Sequence, residues 1–307
     1  MKTTKNTILI DQISEKLQRP LLAQRNAYSK AKRIYLVEGA IIFIALLGTI
    51  LIPLHIDCRE LLRVFSFTGG CKEILTIISV FCTIGLLIIT SFLGKKTKEG
   101  AILQEYFDVE LFKIAWNKTL VGKKPKINEQ LAHLTGSEKK IEGWYSQKIK
   151  SDIPHGLAVL LCYKSNTIFA LYLRSRYLDW LYFFLIIYYV IYFVFVFVFK
   201  SSLYDTAIFL APSIPFLNLM MNKIKSHKDV LQKYKDIDDQ LQFHFDNYNK
   251  KGSLPGNDIL RSIQDLNYLL RLIPTKVSNF YYCLKRTKAN AFTDKCIEAT
   301  IDELNIQ

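Results

Sequence analysis

One uninterrupted apolar run, Leu178–Phe199, limits what this chain can fold into more than any other feature. After Asp179 the run contains no charged residue, glycine or proline until Lys200. As an α-helix it would be about 30 Å long, which matches the hydrocarbon core of a bilayer. A helix buried in a soluble domain is rarely this long without a polar face. The run therefore predicts a membrane-spanning helix.

Three further apolar stretches have the length and composition of spanning helices. They cover residues 34–54, 74–93 and 203–221. The last of them contains Pro212 and Pro215, which remove backbone hydrogen bonds and predict a kink or break in that helix. We therefore expect an all-α integral membrane protein with four transmembrane helices and helical cytoplasmic blocks.

The basic residues predict how these spans are oriented. The chain has 41 Lys and Arg residues against 27 Asp and Glu residues. Its amino-terminal tail has 8 basic residues, the 95–177 segment has 15 and the tail from residue 222 has 14, whereas the 55–73 loop has 3 and the 200–202 turn has 1. By the positive-inside rule, both termini and the long middle segment are expected in the cytoplasm.

This orientation divides the chain into five expected segments. They are a cytoplasmic amphipathic segment (1–33), the first two spans (34–94), a cytoplasmic helical domain (95–177), the last two spans (178–221) and a cytoplasmic carboxy-terminal helical region (222–307). The polar first segment also predicts that the chain has no cleavable signal peptide. Its apolar residues lie about one helical turn apart, which indicates a helix resting on lipid or on the cytosolic domain.

Shorter elements are predicted within the cytoplasmic segments. Residues 127–134 and 139–148 look like short helices between two turns. A stripe from Val230 to Tyr248 predicts a long helix that continues the fourth span, and two more helices follow the break at residues 251–256.

Two of the six cysteines, Cys58 and Cys71, flank the short loop between the first two spans. They can form a disulfide if that loop lies outside the cytoplasm, or remain two free thiols. Cys162, Cys283 and Cys296 lie in cytoplasmic segments, where reduced thiols are expected.

The search for catalytic motifs gives a negative result. The chain has no glycine-rich phosphate loop, no H-E-x-x-H, no G-x-S-x-G and no EF-hand spacing, and its five histidines have no metal-site or triad spacing. We therefore expect no enzymatic activity, no metal and no resident cofactor. The formal net charge of +14 favours an anionic partner, and the spans favour lipid over a nucleic acid polymer.

Two clusters are candidates for ligand binding or gating. The first, Trp116, Asn117, Lys118, Lys123 and Lys124, combines an aromatic ring, an amide and lysines that can bind an anion by stacking and charge. The alternative is a core tryptophan beside a solvated basic turn. The second cluster consists of Asn166, Arg174 and Arg176, just before the third span. Basic residues at that position also serve as ordinary lipid anchors.

Strings spread over most of the chain resemble the SMODS-associated four-transmembrane effectors of bacterial anti-phage defence. The strings are Leu22–Arg25, Tyr28–Arg33, Trp116–Pro125, Trp144-Tyr145, Cys162, Ser165-Asn166, Leu173–Tyr177, Ile263-Gln264-Asp265 with Tyr268 and Arg271, and Phe280–Tyr282. The Trp116–Pro125 and Ile263–Arg271 strings are the specific ones. Phe169-Ala170 departs from the aromatic-Asp pair of the family.

The resemblance implies a membrane effector of a cyclic-nucleotide-type signalling system. An associated nucleotidyltransferase would make a cyclic oligonucleotide messenger, and the effector would oligomerise and permeabilise the bacterial inner membrane. Two alternatives stay open at this stage. One is a membrane-anchored receptor or scaffold that binds a messenger or partner without forming a pore, and the other is a small transporter or constitutive channel, in which Asp205 would influence selectivity.

Overall fold

The computed structural model describes residues 6–51, 71–126, 141, 143–198 and 214–304. Within these residues the chain forms eight α-helices and no β-strand. They are α1 (Ile8–Asp11), α2 (Glu15–Leu51), α3 (Cys71–Phe112), α4 (Lys118–Val121), α5 (His155–Val198), α6 (Ile214–Lys251), α7 (Asn257–Leu272) and α8 (Asn279–Glu303). The all-α prediction is therefore confirmed for the described part of the chain.

The four longest helices contain the described parts of the four predicted spans. Among the described residues, one helical stretch, His155–Val194, is long and apolar enough to cross a bilayer, and 17% of its apolar window is buried. The core helix of a soluble protein would be mostly buried, so this exposure favours contact with lipid. The other three spans remain predictions.

The chain divides into two compact units. The polar unit joins the described residues of Met1–Ala31, Gly94–Tyr177 and His227–Gln307, and the apolar unit joins those of Lys32–Leu93 and Leu178–Ser226. The limits of the apolar unit lie close to the limits 34, 94, 178 and 221 that the sequence predicts for the spanning segments. Helices α2, α3, α5 and α6 each contribute residues to both units.

The amino-terminal segment is part of the core of the polar unit. Ile8, Leu17 and Leu21 are buried in one cluster with residues of α3, α5, α6, α7 and α8. Ala23 and Ala27 pack on Leu103 of α3 in a second cluster. Leu17, Leu21 and Ala31 of the predicted apolar face are therefore buried, whereas the burial of Ala23 and Ala27 was not predicted.

The prediction of a short helix at residues 139–148 is wrong for the residues that the structure describes there. Residues 143–148 form bends and turns where a helix was expected. The reason is that glutamine side chains bind the backbone of the 141–154 loop: Gln18 Oε1 accepts from Ile141 N at 2.9 Å, and Gln12 Oε1 accepts from Tyr145 N at 3.0 Å. Gln18 Nε2 also donates to Ile141 O at 2.9 Å. These bonds replace the backbone pairs of a helix.

The carboxy-terminal helices agree with the periodicity of the sequence. On α6, Val230, Ile237 and Leu241 are buried as predicted. Helix α7 begins at Asn257, with Gly256 as its extended N-cap, and α8 begins after Ser278, whose side chain caps Tyr281 N. The predicted helix at 127–134, the turn at 200–202, Asp205 and the Cys58–Cys71 pair lie outside the described residues or side chains.

Candidate functional site

A buried pair of carboxylates on α3 is the centre of the polar unit. Glu105 and Asp108 are both 0% exposed, and they share one helix face with the buried residues Ala101 and Phe112. The spacing of three and four residues places all four side chains on the same stripe. Ionised groups at such positions require partners that offset their desolvation.

Helix α7 supplies these partners. Arg261 Nη2 lies 2.6 Å from Glu105 Oε1, and Arg271 Nη1 lies 2.6 Å from Asp108 Oδ2. Gln264, between the two arginines, donates from Nε2 to Glu105 Oε2 at 2.6 Å and to Asp108 Oδ2 at 3.3 Å. We call these five residues the carboxylate network. It connects α3 to α7 through charge-assisted hydrogen bonds.

Burial and ion pairing act in opposite directions on the pKa values of this network. Desolvation raises the pKa of Glu105 above its usual value, against the opposing effects of Arg271 and Arg261. The pKa of Arg271 is raised because Asp108 is its nearest anion, although burial acts in the opposite direction. The pKa of Arg261 is raised as well, so both arginines remain charged.

Two residues predicted from sequence extend the carboxylate network at its edges. Asn117 Nδ2 donates to Asp265 Oδ2 at 2.9 Å, and Asp265 is bound by Arg261 at 2.6 Å. At the other edge, Tyr145 donates its hydroxyl to Asp108 Oδ1 at 2.7 Å, and Asn166 Nδ2 donates to that hydroxyl at 3.3 Å. A chain of hydrogen bonds therefore connects Asn117, the N-cap of α4, to Asn166 on α5 through the network.

The Trp116–Lys124 turn is held by local contacts. Trp116 Nε1 donates to the carbonyl of Gly122 at 2.9 Å, and Asn117 Oδ1 caps α4 by accepting from Leu120 N at 3.1 Å. Gly122 has a φ of 91°, which favours glycine at this position. Lys124 Nζ pairs with Glu110 at 2.7 Å and lies 5.1 Å from the Tyr106 ring centroid. Lys118 and Lys123 are exposed.

Arg174 lies apart from that turn, with partners on α6 and on the segment after α7. Its Nη1 is 3.1 Å from His227 Nδ1, and both terminal nitrogens donate to the carbonyl of Thr275 at 3.3 Å. The guanidinium lies 5.9 Å from the Tyr234 ring centroid. Arg176, two residues along α5, is exposed.

Metal binding has no visible basis in the part of the chain that the structure describes. No group of three or more His, Cys, Asp or Glu side chains is arranged there to hold a metal ion. Glu105 and Asp108 are engaged by arginine, glutamine and tyrosine donors instead. The arrangement joins α3 to α7 through ion pairs, and Lys118 and Lys123 add exposed positive charge nearby in the chain.

Comparison with known protein families identifies the family of this chain. The family described as the SMODS-associating 4TM effector domain matches residues 6–300, nearly the whole chain. The chain belongs to this effector family. The match confirms the family resemblance, and the effector description names no catalytic activity.

A curated relative of this effector places the family in anti-phage defence. It is a Bacillus cereus (strain VD146) protein named "Probable CBASS effector molecule", 28% identical over 220 residues, which cover 68% of this chain and 70% of the relative. No solved structure matches the chain. Family and relative together indicate a membrane-associated CBASS anti-phage effector.

The structure distributes the predicted site residues of the effector over several places. Trp116, Asn117 and Lys124 meet on one turn, Asn166 lies at the far edge of the carboxylate network, and Arg174 lies in a third place. Sequence reasoning missed the network itself and two groups near Arg174, which are Tyr28 and Lys276. The missed signal was the Glu105–Asp108 pair on an apolar stripe, which requires buried cations elsewhere in the chain.

Proposed function

We propose that this CBASS effector binds a cyclic-nucleotide messenger made by an associated nucleotidyltransferase, oligomerises and permeabilises the bacterial inner membrane. In this proposal the four helices α2, α3, α5 and α6 carry the four spans, and both termini and the polar unit lie in the cytoplasm. The messenger acts as an activating ligand, and the protein performs no catalysis and binds no nucleic acid polymer.

The observation that carries this proposal is the continuity of the four long helices. Each contributes to the polar unit, which has a buried ionic core, and to the apolar unit. On α5, large apolar side chains are exposed in succession; they are Phe183, Phe184, Ile186, Tyr189, Val190, Ile191, Phe193, Val194, Phe197 and Val198. A continuous helix transmits a displacement of one end to the other, so binding in the polar unit can move lipid-facing segments.

The composition of α5 supports the oligomerisation that we propose. Its exposed face is aromatic and aliphatic, so it cannot line an aqueous path without polar residues from elsewhere. Four helices of one chain rarely enclose a pore, and copies of the chain would bring their more polar helices together. We therefore expect the active form to be a homo-oligomer.

A cellular experiment tests the proposal. The effector is expressed with a nucleotidyltransferase of a CBASS system, and membrane potential is followed with a potential-sensitive dye during phage infection. The proposal predicts loss of potential before lysis, only when both proteins are present and the nucleotidyltransferase is active. Growth arrest with an intact potential would contradict membrane permeabilisation.

The apolar face of α5 also supports a second candidate function. A membrane-anchored receptor or scaffold needs lipid-facing helices and a ligand-binding polar unit but no polar path through the bilayer. This function predicts messenger binding and growth arrest while the membrane potential is unchanged. The dye experiment therefore separates the two functions directly.

A further inference from the structure

A second group of side chains in the polar unit combines basic residues with tyrosine rings and shares Arg271 with the carboxylate network. We call it the cation cluster, and it consists of Tyr28, Arg174, His227, Tyr234, Arg271 and Lys276. These residues come from α2, α5, α6, α7 and the segment that follows α7.

Hydrogen bonds to backbone carbonyls and aromatic rings hold its cations in place. Lys276 Nζ donates to the carbonyl of Arg271 at 3.1 Å and lies 5.1 Å from the Tyr28 ring centroid. Arg174 donates to the carbonyl of Thr275, next to Lys276 in the chain, and lies over the Tyr234 ring. Arg174 and Lys276 are thus each held against a tyrosine ring, an arrangement stabilised by cation–π attraction.

The burial of these residues gives the cluster a floor and an accessible rim. Arg174, His227 and Arg271 are buried, whereas Tyr28, Tyr234 and Lys276 are partly exposed. Part of the surface of Tyr28, Tyr234 and Lys276 is therefore open to solvent. The buried floor keeps the positive charge in a low-dielectric environment, where an anion is attracted more strongly than at an exposed surface.

The electrostatics of the cluster are those of an anion site. Burial, together with the positive charges of Arg174 and Arg271, lowers the pKa of Lys276 to about 7. Tyr268, which interacts electrostatically with Tyr28, is 0% exposed, and its hydroxyl has no hydrogen-bond partner among the described residues. A bound anion would add a favourable interaction with the positive charges of Arg174 and Lys276.

We propose that the cation cluster binds a phosphate group of the activating cyclic nucleotide, with Lys276 and Arg174 contacting the phosphate and Tyr28 and Tyr234 contacting the sugar or base. This inference rests on the proposed function for the identity of the ligand. Phosphate recognition by lysine and arginine, with tyrosine rings as stacking surfaces, accounts for the residue types present. A phospholipid headgroup offers the same phosphate chemistry, and the experiment below distinguishes the two sources.

The test measures ligand binding by full-length protein in detergent, using isothermal titration. The probes are cyclic di-AMP, cyclic di-GMP, cyclic GMP–AMP and cyclic tri-AMP, with inorganic phosphate as competitor. We expect at least one cyclic nucleotide to bind, and Lys276→Met to weaken its binding about tenfold to a hundredfold. Lys276→Arg keeps the charge and should stay close to wild type. Lys288→Gln, which removes an exposed charge, is the matched control.

The pH dependence of binding distinguishes ligand contact by Lys276 from a purely structural role, which would not change that dependence. Anion binding favours the charged form of Lys276, so wild-type affinity should fall as the pH rises from 7 to 9. Among the described residues, the charged and titratable groups near Lys276 include Tyr28 on α2, Arg174 on α5 and Arg271 on α7, and His227 and Tyr234 on α6 contact Arg174. Lys276→Arg should lose most of this pH dependence, because arginine stays protonated throughout.

Three results would contradict the proposed site. The first is that the wild type binds none of the probes, and the second is that wild type and Lys276→Met bind them equally well. The third is that Lys276→Met no longer floats with phosphatidylglycerol vesicles but still binds the cyclic nucleotide. The last result would assign the cluster to lipid. Messenger binding that depends on Lys276 without membrane leakage would instead uphold the site and contradict the proposed function.

Discussion

Arg271 Nη1 lies 2.6 Å from Asp108 Oδ2 in the interior of the polar unit, and the two residues are 163 positions apart in the chain. The same α7 arginine is a neighbour of Lys276, whose amine binds the Arg271 carbonyl. One residue therefore joins the carboxylate network to the cation cluster. A ligand that moves Lys276 would therefore act close to an ion pair between α7 and α3.

Removal of Arg271 should destabilise the fold strongly. Arg271→Met leaves Asp108 buried without its cation, and breaking a buried pair on one side costs about 3–5 kcal/mol. Thermal unfolding in detergent, followed by tryptophan fluorescence, measures the loss. Arg19→Met is the control, since its pair with Glu15 is exposed and contributes less than about 1 kcal/mol. Equal melting temperatures for the two variants would contradict a stabilising role of the network.

Gln18 should determine the conformation of the 141–154 loop. Gln18→Ala removes both hydrogen bonds to the backbone of Ile141, and each buried backbone group left unpaired costs about 1–3 kcal/mol. We expect faster hydrogen exchange in peptides covering residues 141–153. Gln242→Ala, on the exposed side of α6, should leave that exchange unchanged. Wild-type exchange rates in Gln18→Ala would show that the loop is held by other contacts.

Gly100 allows the Tyr28 ring to lie against α3. A Cβ at this position would lie 2.9 Å from Tyr28 Cε1, so Gly100→Ala must displace the ring, and overpacking of this kind costs about 1–3 kcal/mol. We expect a lower melting temperature and weaker cyclic nucleotide binding, because Tyr28 moves away from Lys276. Gly94→Ala is a matched control on the same helix, with no atom within 4 Å of the added methyl group.

The control variant Gly94→Ala should stabilise the protein slightly, by about 0.5–1 kcal/mol, because alanine is a better helix former than glycine. A Gly100→Ala protein with the stability and the binding of Gly94→Ala would disprove the role given to the Tyr28 ring.

Trp116 tests whether the turn at 116–124 takes part in ligand binding or gating. In that case Trp116→Ala should abolish messenger-dependent leakage while membrane insertion stays normal, and Trp116→Phe should retain part of the activity through its ring. Leu120→Ala, on the same short helix, serves as the control. Reduced expression or insertion of Trp116→Ala would assign the indole a structural role, through its bond to the Gly122 carbonyl.

Local periodicity made much of the fold predictable. Helical stripes such as Val230, Ile237 and Leu241 indicate both the helix and the face that it buries, because residues three or four apart share a side of the helix. The apolar run at 178–199 likewise has the length and composition of a lipid-facing helix, and both are properties of the local sequence alone.

Contacts between distant segments could not be predicted in this way. Glu105 and Arg261 are 156 residues apart, and nothing in their local sequence states that they pair. The Gln18–Ile141 bonds replace a helix with an irregular loop through a side chain 123 residues away. The candidate site depends on the same kind of contact, since Tyr28, Arg174 and Lys276 lie on three separate parts of the chain.

Dye release from proteoliposomes tests the central claim most directly. Purified effector in phosphatidylethanolamine and phosphatidylglycerol vesicles is mixed with each cyclic nucleotide of the panel. We expect that one of them triggers release from vesicles with the wild type or Lys288→Gln, and that Lys276→Met gives no release at the same concentration. Release without any messenger, as a constitutive channel would show, or no release with any member of the panel would contradict a messenger-gated membrane effector.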